Sequence, residues 1–210
     1  MRLASSLGWH FMDSGVFYRL LGYAALRERL PLDNAVLLAQ RAADLNVVFE
    51  QRGQRCVVLL DGEPLSSELR TETAGAAASK VAALPPVREA LLELQRSFRQ
   101  PPGLVADGRD MGTVVFPEAP LKVFLDASAE ERAQRRHRQL KEAGKNANLS
   151  SLLREIEARD ERDRNRAVAP LRPAEDAVCI DTTALSVDAV YQRIANLVRD
   201  CFPALRPDFR

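Results

Sequence analysis

Histidine is nearly absent from this chain, with two in 210 residues, and its three cysteines (Cys56, Cys179 and Cys201) lie far apart with no Cys-x-x-Cys among them. Those counts leave too few ligands for a zinc site and an odd number for a disulfide framework, so a reduced cytosol is the expected setting. Long apolar runs are missing too. Nothing approaches the roughly 20 residues that span a bilayer, and no secretory leader is expected of the first residues. A cytoplasmic protein with no membrane partner follows. Aromatic residues make up only 6% and the formal net charge is +1. That is a poor endowment for holding nucleic acid, whose binding needs positive charge and stacking surfaces.

What is present is an uneven spread of charge. Between Arg132 and Arg166 eleven Lys and Arg stand against six Asp and Glu, a local excess of five. On a near-neutral chain such a segment suits a small anionic ligand better than a polymer. Its densest part is residues 159–166, Arg-Asp-Glu-Arg-Asp-Arg-Asn-Arg. As a helix, this places Arg159, Asp163 and Arg166 on one face, at i, i+4 and i+7. The apolar stripe upstream (Leu149, Leu152, Leu153, Ile156) stops after Ala158, leaving the helix nothing to bury. Two readings stand side by side. One is a solvated face of i,i+4 Arg–Asp pairs, each worth about 0.2–0.5 kcal/mol. The other is a row of guanidinium forks shaped for phosphate oxygens.

A hydrophobic content of 46% is enough for a packed core, and 210 residues suit one substantial domain with an insertion. Residues 2–8 read as the last turns of a helix closed by Gly8. Residues 9–12 then form a short strand that stops at Asp13-Ser14-Gly15, and a helix follows through Phe17, Leu20, Leu21 and Ala24. Residues 30–79 look like an excursion. Two β-rich runs at 46–50 and 55–60, joined by residues 51–54 and followed by an Asp61-Gly62 turn, suggest a small antiparallel meander. Residues 71–83 are alanine-rich and helical, their small side chains permitting close approach. Pro85-Pro86 opens a further helix striped by Val87, Leu91, Leu94 and Phe98. The tail from Phe202, with two prolines, reads as a loose end.

Residues 104–107, 121–126 and 177–181 share one plan: an apolar run, a terminal polar residue, then a helix. Apolar runs without polar alternation indicate strands buried on both faces, as in a parallel sheet. Ser128 and Glu131 suit a capping box for the helix after the second run. Repeated strand–helix units predict an open α/β sheet with its ligand at the carboxyl ends of the strands. That rule points to Asp13-Ser14-Gly15, Asp107-Gly108-Arg109-Asp110 and Asp126. Asp107-Gly108 also suits a turn, and Ser14 suits a helix N-cap. Arg19 and Arg88 each sit near a helix N-terminus, which disfavours a cation by roughly 0.3–1 kcal/mol. A bound anion would reverse that sign.

Three stretches together resemble one family. Asp13-Ser14-Gly15 with Tyr18-Arg19, residues 107–117 (Asp-Gly-Arg-Asp-Met-Gly-Thr-Val-Val-Phe-Pro), and Arg159 through Asn165-Arg166-Ala167 with Pro170-Leu171 look like the bacterial cytidylate kinases. The resemblance runs nearly end to end. It implies a P-loop kinase-like fold: a three-layer parallel sheet flanked by helices, with a core of residues 1–29 and 80–210. Residues 30–79 would be a small β-containing insertion that binds the nucleoside monophosphate, and about 132–166 a helical lid. The implied reaction transfers the γ-phosphoryl group of ATP, carried with Mg2+, to CMP or dCMP. Residue by residue, the resemblance places Ser14, Arg19 and Arg109 on the CMP phosphate. Ser79, Arg88, Asp110 and Arg166 would surround the cytosine, and Arg159 with Asp163 would meet the sugar. Arg109, Arg159, Arg162 and Arg166 would stabilise the transferring phosphoryl group. A carboxylate at Asp110 suits the cytosine N4 amine, and Arg and Ser donors suit O2 and N3. ATP and CMP or dCMP are the expected partners, and a monomer the expected state, with no metal site built by the protein itself.

One departure stands against the likeness. The family opens with a central strand and a Gly-rich loop ending in Gly-Lys-[Ser/Thr], and no G-x-x-x-x-G-K-[ST] occurs in these 210 residues. The only Gly-Lys, Gly144-Lys145, is followed by Asn146. The expectation is therefore a start set too late, with the first strand and phosphate loop lying upstream and little turnover from the chain as written. The alternative is a non-catalytic CMP-binding or scaffolding remnant of the same fold.

Overall fold

The computed structural model describes residues 1–52, 55–65 and 68–205. The expected joint at Gly53-Gln54 and the last five residues of the tail lie outside them. The chain divides into two compact units, Met1–Gly108 and Arg109–Arg210.

In the first unit, α1 (Arg2–Leu7) ends where Gly8 turns left-handed at φ 65°. The Gly8 and Trp9 N–H groups bond back to Ser5 and Ala4 carbonyls, satisfying the last helical acceptors. β1 (His10–Asp13) leads into α2 (Ser14–Arg27), and α3 (Ala35–Ala43) follows. Next come three antiparallel strands, β2 (Val47–Arg52), β3 (Arg55–Leu60) and β4 (Glu63–Leu65). Asp61 and Gly62 join the last two with φ of 53° and 85°, the double positive φ of a type I′ hairpin. The expected meander is present. α4 (Glu72–Val81) starts at Thr71, whose hydroxyl accepts from Ala74 N–H at 3.1 Å. α5 (Pro85–Ser97) places its two prolines in the first turn, where no N–H partner is lost. β5 (Leu104–Asp107) pairs in parallel with β1.

The core of this unit collects Phe17, Leu20 and Leu21 of α2, Leu38 of α3, and Val87 and Leu91 of α5, all fully buried. Phe17, Phe49 and Phe98 form a triangle of edge-to-face rings with centroids 5.2–5.7 Å apart, the geometry that aromatic quadrupoles favour. α2 lies so close to α4 that a Cβ on Gly22 would come within 3.0 Å of Ala77 Cβ and 3.1 Å of Ala78 N. The alanine-rich segment does permit close approach.

The second unit opens with a π-helical turn at Met111–Val115, followed by β6 (Val123–Asp126), α6 (Ala129–Glu142) and α7 (Leu149–Arg164). β7 (Val178–Asp181), parallel to β6, and α8 (Val187–Cys201) complete it. Ser128 caps α6 by accepting from Glu131 N–H at 3.2 Å. The Glu131 carboxylate turns to Arg135 at 2.9 Å rather than closing the reciprocal arm of a capping box. The lone Gly-Lys pair ends α6: Gly144 (φ 70°) and Lys145 donate to Lys141 and Leu140 carbonyls. That is a Schellman cap, not a phosphate cradle.

The fold is mixed α/β, with parallel strand pairs alternating with helices. Two sequence expectations need correction. Among the described residues the parallel strands form two separate pairs, β1–β5 and β6–β7, and not one continuous three-layer sheet. The strands are also not buried on both faces. Leu125 is 50% and Val178 39% exposed, and β5 is half-buried. The reason is sheet size: among the described residues each of these strands belongs to a two-stranded sheet, too narrow a platform for helices to cover both faces.

Candidate nucleotide site

Each parallel pair ends in two aligned carboxylates, Asp13 beside Asp107 and Asp126 beside Asp181. In the first unit the Asp13 side chain accepts from Gly15 N–H at 2.9 Å. Asp13, not Ser14, is therefore the α2 cap, and Ser14 becomes the first helical residue, 4% exposed. Burial pushes the Asp13 carboxyl up and the neighbouring Asp107 charge adds to it, against the pull of the Gly15 N–H and Arg19.

Arg19 and Arg88 find partners that their own helices do not provide. Arg19 donates to the Leu69 carbonyl at 2.7 Å and passes Gly75, one turn before the half-buried Ser79 on α4. Arg88 is 8% exposed, lies 5.6 Å over the Tyr18 ring, and donates to the Ala82 carbonyl at 3.2 Å. Ala82 is the C-cap of α4. A cation there is favoured by that helix's dipole, which offsets the unfavourable N-terminus of its own helix.

In the second unit, Asp110 opens the π-helical turn. Its carbonyl accepts from Val114 and Val115, and Phe116 N–H reaches Met111 at 2.7 Å. Such wide turns re-aim side chains and recur at functional sites. Asp110 is held there at 5% exposure. The turn is braced from outside, since a Cβ on Gly112 would sit 3.0 Å from the stem of Lys122, whose ammonium bonds Asp176 at 2.6 Å.

Asp163 is the hub. It accepts from Arg109 Nε, and Arg159 and Arg166 stand 3.9 and 3.8 Å from its oxygens. The chain after α7 folds back onto it: Leu171 N–H bonds the Asp163 carbonyl at 2.8 Å, and Arg166 bonds the Ala169 carbonyl at 2.8 Å. Three guanidinium forks gathered on one carboxylate suit a phosphate. Arg162 does not join them and is exposed on α7.

The expectation that α7 has nothing to bury after Ala158 is overturned. It buries two carboxylates, Asp160 at 6% and Asp163 at 7% exposure. Asp160 is a functional candidate that the sequence reading missed, and its partner Arg132 was expected only as the start of the basic lid. Arg132 grips both Asp160 oxygens and donates through Nε to the Ala127 carbonyl at 3.1 Å. Burial pushes the Asp160 carboxyl up, but the bond and charge of Arg132, with Arg164 and Arg109 adding, hold it below the usual carboxylate range. A signal existed: 152, 156, 160 and 163 continue one helical stripe. Beside this pair lies a polar cleft of about 640 Å³, lined by Asp126, Ser128, Arg132, Asp160, Arg164 and Asp181.

Among the described residues, no three His, Cys, Asp or Glu side chains converge as metal ligands. No helix there is long and apolar enough to cross a membrane.

Comparison with known proteins agrees with the reading of the motifs. The family model described as cytidylate kinase matches residues 1–200. A protein of Aeromonas hydrophila named cytidylate kinase is 59% identical over 188 residues, covering 90% of this chain and 82% of its own. The one from Stutzerimonas stutzeri is 58% identical over 200 residues, covering 94% and 87%. That of Pseudomonas entomophila is 59% identical over 196 residues, covering 92% and 86%.

Proposed function

From its membership of the cytidylate kinase family, a family of phosphotransferases, we propose that this chain binds CMP or dCMP and passes to it the γ-phosphoryl group of MgATP. A CMP phosphate oxygen forms the new bond to the γ-phosphorus, the bond from that phosphorus to the β-bridging oxygen breaks, and ADP leaves with the electron pair. The attacking phosphate is already anionic, so no general base is needed. Positioning and charge supply the rate.

The observation that carries this reading is the Arg109–Asp163 pair with Arg159 and Arg166 beside it. Forks held in place before the ligand arrives lose little on binding and meet developing charge without reorganising. In the second unit, Arg109 takes the CMP phosphate, Arg159 and Asp163 the sugar, and Asp110 with Arg166 the cytosine edge. Asp110 accepts from the N4 amine, and that carboxylate sets the preference for cytosine. In the first unit, Ser14 and Arg19 take the phosphate, and Ser79 and Arg88 the base. Arg162 and the basic flank from Arg132 act as a lid over the transferring phosphoryl group, Arg162 moving inward from its exposed position as the lid closes. The setting is the cytoplasm and the working unit a monomer.

These 210 residues hold no Gly-rich phosphate loop, so grip on the ATP phosphates is weak and turnover of the chain as written is low. A second reading is a CMP-binding remnant of the same fold without catalysis.

Calorimetry with CMP, UMP and GMP, and chromatographic detection of CDP, test both. CMP binding tighter than UMP by at least about tenfold is expected, narrowing in Asp110→Ala by the roughly 1–3 kcal/mol of one base contact. Grafting a strand and Gly-Lys-Ser loop ahead of Met1 should raise CDP formation. Tight CMP binding with no turnover after the graft would favour the remnant. Equal affinity for all three nucleotides would sink both.

A further inference from the structure

The proposed function gives Asp160 no task, although this carboxylate is buried and paired with the half-buried Arg132. Arg132 spends three donors on two elements: Nε on the Ala127 carbonyl after β6, at 3.1 Å, and both terminal nitrogens on the Asp160 carboxylate of α7. Arg132 itself belongs to α6, so its guanidinium ties the strand end, α6 and α7 together.

The need for such a tie follows from the α7 stripe. Leu152 is buried and Ile156 half-buried, but the next two inward positions are Asp160 and Asp163. The rotation of a helix is normally set by apolar side chains packing into its neighbour. The last turns of α7 have none on this face. A two-pronged guanidinium–carboxylate bond is a polar contact whose planar geometry fixes direction as well as distance.

We infer that Asp160 is a positioning residue: by clamping Arg132 it fixes the rotation of α7, so that Asp163, three residues on, stays aimed at Arg109. The two carboxylates divide the work. Asp160 occupies Arg132, which leaves Asp163 to Arg109, Arg159 and Arg166. Without Asp160 the freed Arg132 competes for Asp163, and α7 loses its register. The structural part stands on the geometry alone, and the effect on CMP rests on the proposed function.

Arginine Nε–Hε NMR signals of the full 210-residue chain test it. Arg109 donates through Nε to Asp163, so its Hε signal is resolved and slow to exchange. In Asp160→Asn the Arg109 signal should move to the bulk position, with exchange at least about tenfold faster. Asp160→Glu, which keeps the charge, should recover part of that protection. Should Asp160→Asn not fold, Arg132→Lys keeps a cation but loses the fork, and should shift Arg109 in the same direction by less. An unchanged Arg109 signal in a folded Asp160→Asn protein, with only the Arg132 signal altered, overturns the inference. A CMP titration of the parent runs alongside. Loss of the Arg109 signal supports the positioning role even where the parent gives no heat with CMP, an outcome that counts against the proposed function alone.

Discussion

Replacing Asp163 by Asn is the most direct perturbation of the candidate site. The amide keeps the volume and one acceptor oxygen but removes the charge that Arg109, Arg159 and Arg166 share. Breaking a fully buried ion pair costs about 3–5 kcal/mol. That figure is too high here, because the side chains of Arg109 and Arg159 are 36% and 37% exposed and water screens them. The contacts at 3.8 and 3.9 Å are too long for good hydrogen bonds and add little. What remains is mainly one charge-assisted bond from Arg109, weakened rather than deleted, so the local loss is about 1–2 kcal/mol. Global denaturation is a poor assay for a chain of two compact units, which need not unfold together. Hydrogen exchange along α7 reads the effect locally, and 1–2 kcal/mol corresponds to amides opening about 5–30 times more often. CMP affinity, read by calorimetry, should fall by about tenfold or more as Arg109 loses its aim. Exchange along α7 altered by less than about twofold, together with unchanged CMP affinity, would refute the assignment of Asp163 as the hub.

Two further substitutions probe the first unit. The Asp13 carboxyl is raised by burial and by Asp107, so its ionised form is disfavoured in the folded state, and stability falls as pH rises from about 4 through the raised value. Asn caps a helix as well as Asp, so Asp13→Asn should raise Tm at pH 7 and leave it nearly unchanged below about pH 4; equal shifts at both pH values would show that burial and Asp107 do not raise the Asp13 carboxyl. Gly22→Val forces branched carbons against Ala77 and Ala78 and should destabilise by about 1–3 kcal/mol; an unaltered Tm would mean that α2 and α4 do not pack as closely as described.

Legibility in the sequence varied with the range of the interaction concerned. Gly8, Asp61-Gly62, Thr71 and Pro85-Pro86 marked the ends of their elements correctly, because a cap or tight turn is settled by a few neighbouring residues. Ser14 suits a cap but does not serve as one, for a related reason: Asp13 and Ser14 are both competent, and the backbone path chose the first. The guanidinium-rich run was visible, but not the burial of Asp160 and Asp163 within it. A carboxylate on a charged helix reads as surface until its cation, here Arg132 from another helix, is seen to arrive.

Local chemistry along the chain therefore dictated where helices and turns begin and end, that positive charge concentrates between Arg132 and Arg166, and which family the motifs resemble. Packing in three dimensions settled which charges meet. Arg19 and Arg88 went to carbonyl groups at Leu69 and Ala82, three arginines gathered on Asp163, and among the described residues each apolar parallel strand paired with one neighbour. Backbone preferences act over a few residues, whereas an ion pair or a strand's second neighbour depends on partners distant in the chain, and no short stretch of residues encodes that meeting.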